Sequence, residues 1–314
     1  MEHQARRHLI LLHPIRRLFG ARARRLWIDL PDAHARLARL PASRVVRAAI
    51  KALIDEGVAV LRSNIDAPLI GQVLEEFAGY CERTSESRDY RDQYGLHERL
   101  CNLQMVSPAM RALAANATVR EIMQAVFSAP PVVVGSLFFE KGSQQSIHRD
   151  GPAFFTVPIN HFFGVWHALE DVSEDSGPLI YYERGHRVAP DDELRARDGL
   201  NEEVYFRTVR EACEAMRLPK QHVVLAKGDT LIWHPQLPHG GASIADPARS
   251  RKSAVFHYIP VGVPIYGPKE FFGKAAPRAS GPNYEVLSFD GALFYRHAAP
   301  KFFHNYADGN FKEV

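Results

Sequence analysis

The chain has 314 residues, of which 46% are hydrophobic and 24% charged, with a formal net charge of +3. This composition is typical of a globular protein with a sizeable core, and it excludes disordered, collagen-like and coiled-coil chains. The longest weakly polar run covers residues 128–139 and contains two prolines, whereas a membrane-spanning helix needs about 20 apolar residues. Three scattered cysteines are too few for a disulfide framework and favour a reducing, cytoplasmic setting.

Positive charge is concentrated at the start of the chain. Residues 1–27 contain seven arginines and a single acid, Glu2, so this segment carries +6 and the remaining chain −3. Because a nucleic-acid-binding protein carries its basic patch on the folded domain, the mildly acidic body predicts no nucleic-acid partner. Apolar residues between the arginines leave three interpretations open: a flexible tail, a peripheral contact with an anionic membrane surface, or a transit peptide.

The first part of the body, residues 28–130, has a mainly helical pattern of apolar residues and caps. The predicted elements, in chain order, are a helix capped by Ser43 and ended by Gly57, a strand over 58–61, a helix capped by Asp66, and short helices over 108–115 and 118–127.

From residue 131 the pattern changes to short runs rich in β-branched and aromatic residues, which predict strands. These strands cover residues 132–140, 162–169, 178–182, 222–225, 229–233 and 253–259, with a polar helical insertion at about 190–217. So many strands predict a mainly β sandwich or barrel, with the N-terminal helices packed on one face. We therefore expect one domain over 28–314, made of a helical part (28–130), a barrel (131–260) and an aromatic C-terminal wrap (261–314).

The tripeptide His148-Arg149-Asp150 is the first candidate for chemistry. If this segment is a strand, the imidazole and the carboxylate point to the same face and converge on one point. A third histidine on a neighbouring strand would complete a set of two histidines and one carboxylate, which leaves positions open for non-haem Fe(II) oxygen chemistry. The same alternation turns Arg149 away from the metal, to the surface or to a supporting position.

A second motif lies downstream, where His239 is followed by Arg251-Lys252-Ser253. Alternation places Arg251 and Ser253 on one face, where the guanidinium can hold a distal carboxylate through two hydrogen bonds and the hydroxyl can add another. Iron ligands with a carboxylate clamp are what a 2-oxoglutarate-dependent oxygenase requires. Arg249 shares the strand phase and is the competing candidate for the clamp.

Between about residues 57 and 260, the order and spacing of these motifs resemble the phytanoyl-CoA dioxygenase family of Fe(II)/2-oxoglutarate oxygenases. The matching motifs are Gly57 to Leu61, His148-Arg149-Asp150, Trp166 to Asp171, Ser176 to Leu179, Gly185-His186, Gly228-Asp229, His239 and Arg251.

The resemblance implies a double-stranded β-helix, a jelly-roll or cupin-like barrel, with Fe(II) on His148, Asp150 and His239. It also implies that Arg251 binds 2-oxoglutarate and that Trp166 lines the cosubstrate pocket, although Trp166 could equally be a plain core residue. The chain departs from the family pattern at residue 241, a glycine where a hydroxyl residue is common, and Ser253 is its expected replacement.

The activity implied by the resemblance is the hydroxylation of an unactivated C–H bond, with O2 as the second cosubstrate and with release of succinate and CO2. The substrate would be a small molecule or a lipid- or sugar-linked compound, and no motif in the sequence chooses among these. Five further histidines are expected in the core or next to the ligands: His161, His167, His186, His234 and His257.

Three other classes of protein stay open on the sequence alone. A zinc or manganese hydrolase or isomerase on a cupin-like barrel would use the same two histidines and aspartate without needing Arg251 and Ser253. A catalytically inactive relative that acts as a binding module would normally have lost a metal ligand, and none is lost here. A peripheral membrane protein that binds lipid-linked glycans would depend on the N-terminal segment alone.

Overall fold

The computed structural model of the chain describes residues 25–273 and 281–304. Most of the predicted N-terminal segment, residues 1–24, therefore lies outside the described residues, as do parts of the predicted C-terminal wrap. The helices within the described ranges are α1 (Ala33–Ala38), α2 (Arg44–Glu56), α3 (Ala67–Arg83), α4 (Pro108–Ala114), α5 (Ala117–Phe127), α6 (Asp191–Arg195), α7 (Glu202–Ala215) and α8 (Pro268–Phe272). The strands are β1 (Val58–Leu61), β2 (Arg99–Cys101), β3 (Pro131–Phe139), β4 (Phe155–Thr156), β5 (Phe163–Ala168), β6 (Leu179–Tyr182), β7 (Lys220–Val223), β8 (Thr230–Trp233), β9 (His239–Gly241), β10 (Ser253–Pro260), β11 (Ile265–Tyr266), β12 (Val286–Phe289), β13 (Ala292–Tyr295) and β14 (Lys301–Phe303).

The predicted helix caps of the first part are confirmed. The Ser43 hydroxyl accepts a hydrogen bond from the Val46 amide (3.2 Å), and the Asp66 carboxylate accepts one from the Leu69 amide (2.9 Å). Both bonds satisfy amides that a helix start leaves without a partner. Gly57 ends α2 with φ +79°, a left-handed conformation that favours glycine.

A large sheet forms the centre of the described fold, with the strand order β1-β8-β5-β10-β3-β13-β12 and with β2 and β14 attached beside β3. Side chains alternate between its two faces along β10, as the period of two requires. Ala254, Phe256 and Tyr258 pack among the helices α2 to α5 in the main hydrophobic core, whereas Val255 faces the opposite side. The N-terminal helices therefore cover one face of the sheet, as predicted.

A second sheet with the order β7-β6-β9 packs over the other face of the large sheet. Leu179 of β6 and Val223 of β7 join Trp166 of β5 and Val255 of β10 in one buried apolar cluster. β9 carries His239, so this small sheet brings a predicted metal ligand to the space between the two sheets.

Two features of the chain ends bear on the predicted boundaries. Leu26 is buried and the Trp27 indole donates to the Ala125 carbonyl (3.0 Å), so the last residues of the predicted segment 1–27 pack on the helical layer. At the other end, β13 pairs in parallel with β3, and β14 pairs with β2. Among the residues described, no helix combines the length and apolar character needed to cross a bilayer.

Candidate metal and cosubstrate site

The structure brings His148, Asp150 and His239 together in the space between the two sheets. Their ligand atoms all lie within 4.8 Å of one another, and all three residues are buried. The Nε2 atoms of His148 and His239 lie 3.5 and 3.6 Å from the two carboxylate oxygens of Asp150. The three side chains thus present one set of converging donor atoms.

The local backbone differs from the predicted strand. Residues 148–150 lie in an irregular segment between β3 and β4, and only His148 pairs with a strand, through an isolated antiparallel bridge to His239. That bridge consists of two main-chain hydrogen bonds of 2.8 and 2.9 Å. The two histidines are therefore placed by direct pairing of their own backbones, while Asp150 reaches the same point through a turn.

Hydrogen bonds to the backbone fix the tautomer of both histidines. Nδ1 of His148 lies 2.7 Å from the Ser146 carbonyl, and Nδ1 of His239 lies 3.0 Å from the Leu237 carbonyl. Because a carbonyl only accepts, each Nδ1 carries the proton and each Nε2 presents its lone pair to the site. Burial also lowers the pKa of His239 to about 4, which keeps this ring neutral at physiological pH.

Asp150 is held by two side chains that the sequence did not indicate as its partners. The Trp233 indole donates to Oδ2 (2.9 Å), and Nε2 of His257 lies 3.2 Å from the same oxygen. Burial alone would raise the pKa of Asp150, but the histidines around this carboxylate bring its pKa well below the usual value. Asp150 is therefore an ionised, oriented carboxylate.

The position of Trp233 depends on a glycine in the neighbouring strand. Gly164 pairs with Trp233 across β5 and β8, and a Cβ atom at Gly164 would lie 2.0 Å from the indole ring. Only the absence of a side chain at residue 164 lets the indole lie flat against β5 and reach the carboxylate.

Arg251, Ser253 and Trp166 lie together on the inner face of the large sheet. Arg251 is 4% exposed, and its guanidinium carbon lies 5.2 Å from the Trp166 ring centre. Burial lowers the pKa of Arg251 to about 10, so the group stays charged at neutral pH. The competing candidate Arg249 is exposed and donates to the Ser173 hydroxyl, away from the site.

These three residues contain polar atoms without a hydrogen-bond partner in the described part of the chain. The atoms are Arg251 Nε, Trp166 Nε1 and Ser253 Oγ, and all are buried. Buried polar atoms are normally hydrogen-bonded, so the unpartnered donors of Arg251 and Trp166 indicate room for an acceptor. Arg251 and Trp166 line the cavity described below, whereas Ser253 is fully buried outside its lining.

A loop holds Arg251 in this position. Glu170, which follows β5, accepts hydrogen bonds from the Lys252 amide (2.6 Å) and from the Ser250 hydroxyl (3.0 Å). The Arg251 amide donates to the Glu140 carbonyl (2.7 Å), and one guanidinium nitrogen donates to the Lys141 carbonyl (3.2 Å). The residues on both sides of Arg251 are therefore anchored.

A cavity of about 550 Å³ opens over the three converging ligands. Its walls combine a larger apolar area with a smaller polar one, which is typical of small-molecule sites. The apolar and aromatic lining residues are Leu137, Phe139, Ala153, Phe154, Trp166, Leu179, Trp233 and Val255. Arg251 also lines this cavity, so the ligands and the proposed clamp face one space.

Gly241 has a structural reason for lacking a hydroxyl side chain. A Cβ atom there would lie 2.7 Å from both the Gln144 amide nitrogen and the Ser143 hydroxyl oxygen. The loop 143–145 therefore occupies the space that a side chain would need, and Ser143 itself lines the cavity. Sequence reasoning missed Ser143, because only the fold brings it next to β9.

The five histidines predicted in the core or next to the ligands are buried: His161, His167, His186, His234 and His257. Nδ1 of His167 is hydrogen-bonded to the Thr230 hydroxyl (2.8 Å), and burial lowers the pKa of His167 to about 3.

The side chain of Arg149 points away from the ligands, as predicted, but it does not lie at the surface. Arg149 is fully buried and forms an ion pair with Asp191 (2.9 Å).

With this geometry established, comparison with known proteins identifies the family. The family model described as phytanoyl-CoA dioxygenase matches residues 54–253. The chain belongs to the phytanoyl-CoA dioxygenase family. The matched range begins in α2 and ends at Ser253, so it contains all six predicted site residues.

Curated relatives match over shorter ranges. The phytanoyl-CoA dioxygenase domain-containing protein 1 homolog of Caenorhabditis briggsae is 24% identical over 166 residues, which cover 50% of this chain and 56% of that protein. The peroxisomal phytanoyl-CoA dioxygenase of Bos taurus is 28% identical over 130 residues, covering 39% of this chain and 37% of the bovine protein. The chain thus spans about half or less of the length of these relatives.

Solved structures share the fold of this family member over most of its length. One is the non-haem α-ketoglutarate-dependent carbocyclase SnoK from nogalamycin biosynthesis, with a TM-score of 0.58 and 16% identity over 73% of this chain and 89% of that one. Another is the epimerase SnoN in complex with Fe3+, α-ketoglutarate and nogalamycin RO. Its TM-score is 0.58 and its sequence identity 17%, and the match covers 83% of this chain and 99% of SnoN. EctD from S. alaskensis with 2-oxoglutarate and 5-hydroxyectoine has a TM-score of 0.53 and a sequence identity of 17%, and the match covers 76% of this chain and 86% of EctD. These similarities confirm the predicted double-stranded β-helix.

Proposed function

We propose that this protein is an Fe(II)- and 2-oxoglutarate-dependent oxygenase that hydroxylates a C–H bond of a small-molecule substrate. The observation that carries the proposal is that the candidate metal ligands and Arg251 line the same cavity. A buried set of two imidazoles and one carboxylate lies beside a buried, charged Arg251 that has an unused donor. Membership of the phytanoyl-CoA dioxygenase family supports the same activity.

His148, Asp150 and His239 are the proposed iron ligands, and the donor set fits that metal. Two imidazole nitrogens and a carboxylate would hold Fe(II) and leave positions open for other ligands, which is the pattern of non-haem Fe(II) oxygenases. Trp233 and His257 hold Asp150 so that its second oxygen stays directed at the site. When bound, Fe(II) couples the decarboxylation of 2-oxoglutarate by O2 to oxidation of the substrate.

Arg251 is the proposed anchor of the distal 2-oxoglutarate carboxylate. Two of the unpartnered buried donors, Arg251 Nε and Trp166 Nε1, belong to residues that line the cavity, so they fit an anionic ligand rich in acceptors. Arg251 supplies the charge, Trp166 closes one side of the cavity, and Ser253 supports the same face from behind the wall. The apolar walls exclude water from the remaining space, where a substrate C–H bond would be presented.

The substrate would be a free small molecule or a lipid- or sugar-linked compound. The cavity volume of about 550 Å³ fits a small molecule or one end of a larger one. The direct test is the release of succinate from 2-oxoglutarate, screened over a panel of acyl thioesters, amino acids, sugars and natural-product intermediates. We expect one class to stimulate succinate formation well above the background; hydrolysis or isomerisation of a panel member without 2-oxoglutarate would instead support the cupin-type hydrolase or isomerase.

The N-terminal segment 1–27 is the proposed site of peripheral contact with an anionic membrane surface. Seven arginines interspersed with apolar residues support it, at roughly 1 kcal/mol of attraction for each basic residue near the bilayer. A cytoplasmic setting is the matching proposal, and the free thiols of Cys81, Cys101 and Cys213 are compatible with it. Flotation with phosphatidylserine vesicles tests the contact: removal of residues 1–24 should abolish flotation, and equal flotation of both forms would contradict it. Leu26 and Trp27 stay in the truncated chain because they pack on the fold.

A further inference from the structure

Arg149 stands between two proposed metal ligands in the sequence, His148 and Asp150, and its side chain points away from them into the protein interior. It is 0% exposed, and both terminal nitrogens donate to main-chain carbonyls, Nη1 to Ala189 (2.8 Å) and Nη2 to Gly185 (3.0 Å) and Val188. Nη1 also donates to Asp191 Oδ1 (2.9 Å). A buried guanidinium with this many bonds anchors the backbone that carries it.

The charged partner of Arg149, Asp191, belongs to the helical insertion that interrupts the strands, and the three carbonyl partners come from residues 185–189 just before it. Asp191 is the first residue of α6, and its Oδ1 also accepts from the hydroxyl of Tyr205 in α7 (2.7 Å). The next residue of α7, Phe206, meets the ring of His148 edge to face at 6.4 Å. The insertion therefore touches the ligand segment at two places, through an ion pair and through an aromatic contact.

The insertion also packs against the backbone just beyond Asp150. A Cβ atom at Gly151 would lie 3.0 Å from Asp191 Oδ2 and 3.7 Å from the Tyr205 hydroxyl. The Asp191 amide donates to the side chain of Gln236 (2.9 Å), which stands three residues before His239. Asp191 thus lies next to residues that neighbour the three proposed ligands in the sequence: Arg149 and Gly151 beside His148 and Asp150, and Gln236 before His239.

Residues 148–150 are irregular, so a sheet does not fix their geometry as it does for His239. The main-chain bonds on either side of Arg149 are the bridge of His148 to His239 and the turn in which Asp150 accepts from the amides of residues 153 and 154. Between these two points the side chain of Arg149 anchors the segment. A shift of this anchor would change the distance between the imidazole and the carboxylate.

We propose that Arg149, with Asp191 and Tyr205, is a positioning unit that sets the geometry of the metal site and couples it to the α6–α7 insertion. The inference rests on the proposed function in one respect only, that His148, Asp150 and His239 bind a metal ion. None of the three positioning residues touches the metal or a substrate; they act through the backbone of residues 148–150.

The test measures the affinity of the full-length protein for Fe(II) or Co(II) alone, by competition with a chromophoric chelator under anaerobic conditions. We expect Arg149→Met to raise the metal dissociation constant about tenfold or more, the magnitude seen when groups that orient ligands are removed. The visible spectrum of the Co(II) form should change as well, since it reports ligand geometry. Arg149→Lys keeps the charge but reaches fewer acceptors, and should be intermediate.

Arg195→Met is the matched control. Arg195 lies in the same α6, stacks on Phe155 of β4 at 4.2 Å and donates to the carbonyl of Phe271 in α8, whose ring packs edge to face on Tyr205. It therefore stabilises the aromatic surroundings of Tyr205 through β4 and α8. It should lower the unfolding temperature of the metal-free protein while leaving the metal affinity and the Co(II) spectrum unchanged.

Equal metal affinities and spectra for the wild type and Arg149→Met would overturn the inference, whatever the change in unfolding temperature. If Arg149→Met does not fold, Tyr205→Phe decides, because it removes one hydrogen bond and keeps the ion pair. We expect a rise of about threefold in the dissociation constant, and no rise would overturn the inference. Because the probe is the metal alone, failure of the oxygenase proposal would appear separately, as a wild-type protein that binds the metal but not 2-oxoglutarate.

Discussion

Replacement of Arg251 by alanine separates an oxygenase from any other metal-binding barrel. Arg251 is 4% exposed and carries an unpartnered Nε, its amide donates to the Glu140 carbonyl, and Glu170 anchors the residues on both sides of it. Removal of one partner from a buried, charge-assisted pair costs roughly 2–5 kcal/mol. At about 1.4 kcal/mol for each factor of ten, the lower limit corresponds to a rise of about 30-fold in the dissociation constant for 2-oxoglutarate.

The assay is an anaerobic titration of the Fe(II)-loaded protein with 2-oxoglutarate, with metal affinity measured in parallel. Arg251→Lys should be intermediate, because lysine keeps the charge and loses the two-pronged geometry. Arg249→Ala is the control: its guanidinium is exposed and bonds to Ser173, so its 2-oxoglutarate affinity should equal that of the wild type. A large effect of Arg249→Ala with none from Arg251→Ala would refute the assignment, and no effect from either would refute the clamp itself.

Three further variants test neighbouring parts of the site. Asp150→Ala should abolish Fe(II) binding in equilibrium dialysis, because two histidines alone do not complete the facial set; binding at wild-type affinity would exclude Asp150 as a ligand. Trp233→Phe removes the 2.9 Å hydrogen bond to Asp150 and should weaken Fe(II) binding about tenfold in the same experiment, whereas an unchanged affinity would mean that His257 alone orients the carboxylate. Glu170→Ala frees the loop around Arg251 and should raise the dissociation constant for 2-oxoglutarate by about three- to tenfold at unchanged Fe(II) affinity; loss of Fe(II) affinity instead would point to general unfolding.

Local signals in the sequence predict much of the fold. The caps at Ser43 and Asp66 are confirmed because a helix start depends on residues three or four apart. Strand positions follow from alternation, and the strand predicted at 253–259 is observed at Ser253–Pro260. Where the match slips, as for the strand predicted at 222–225 and observed at Lys220–Val223, the pairing with β6 decides the bounds rather than the composition of the segment.

Long-range contacts explain what the sequence could not predict. His148-Arg149-Asp150 is irregular, and its bridge to His239 joins residues 91 positions apart. The contacts of Trp233 and His257 with Asp150 depend on the register of β8, β5 and β10, and so does the space that Gly164 leaves for the indole. Alternation predicts that Arg149 turns away from the metal, but its burial beside Asp191 and Tyr205 depends on an insertion that is distant in sequence.

Anaerobic absorption spectroscopy of the wild-type protein tests most directly whether one cavity binds Fe(II) and 2-oxoglutarate together. Addition of 2-oxoglutarate to the Fe(II)-loaded protein should produce a weak visible charge-transfer band that saturates at one cosubstrate per chain. The band should not form with Zn(II), and it should not form with Fe(II) when Asp150 is replaced by alanine. A protein that binds Fe(II) tightly but gives no band and no measurable affinity for 2-oxoglutarate would contradict the claim and leave a non-redox metal barrel as the account of this site.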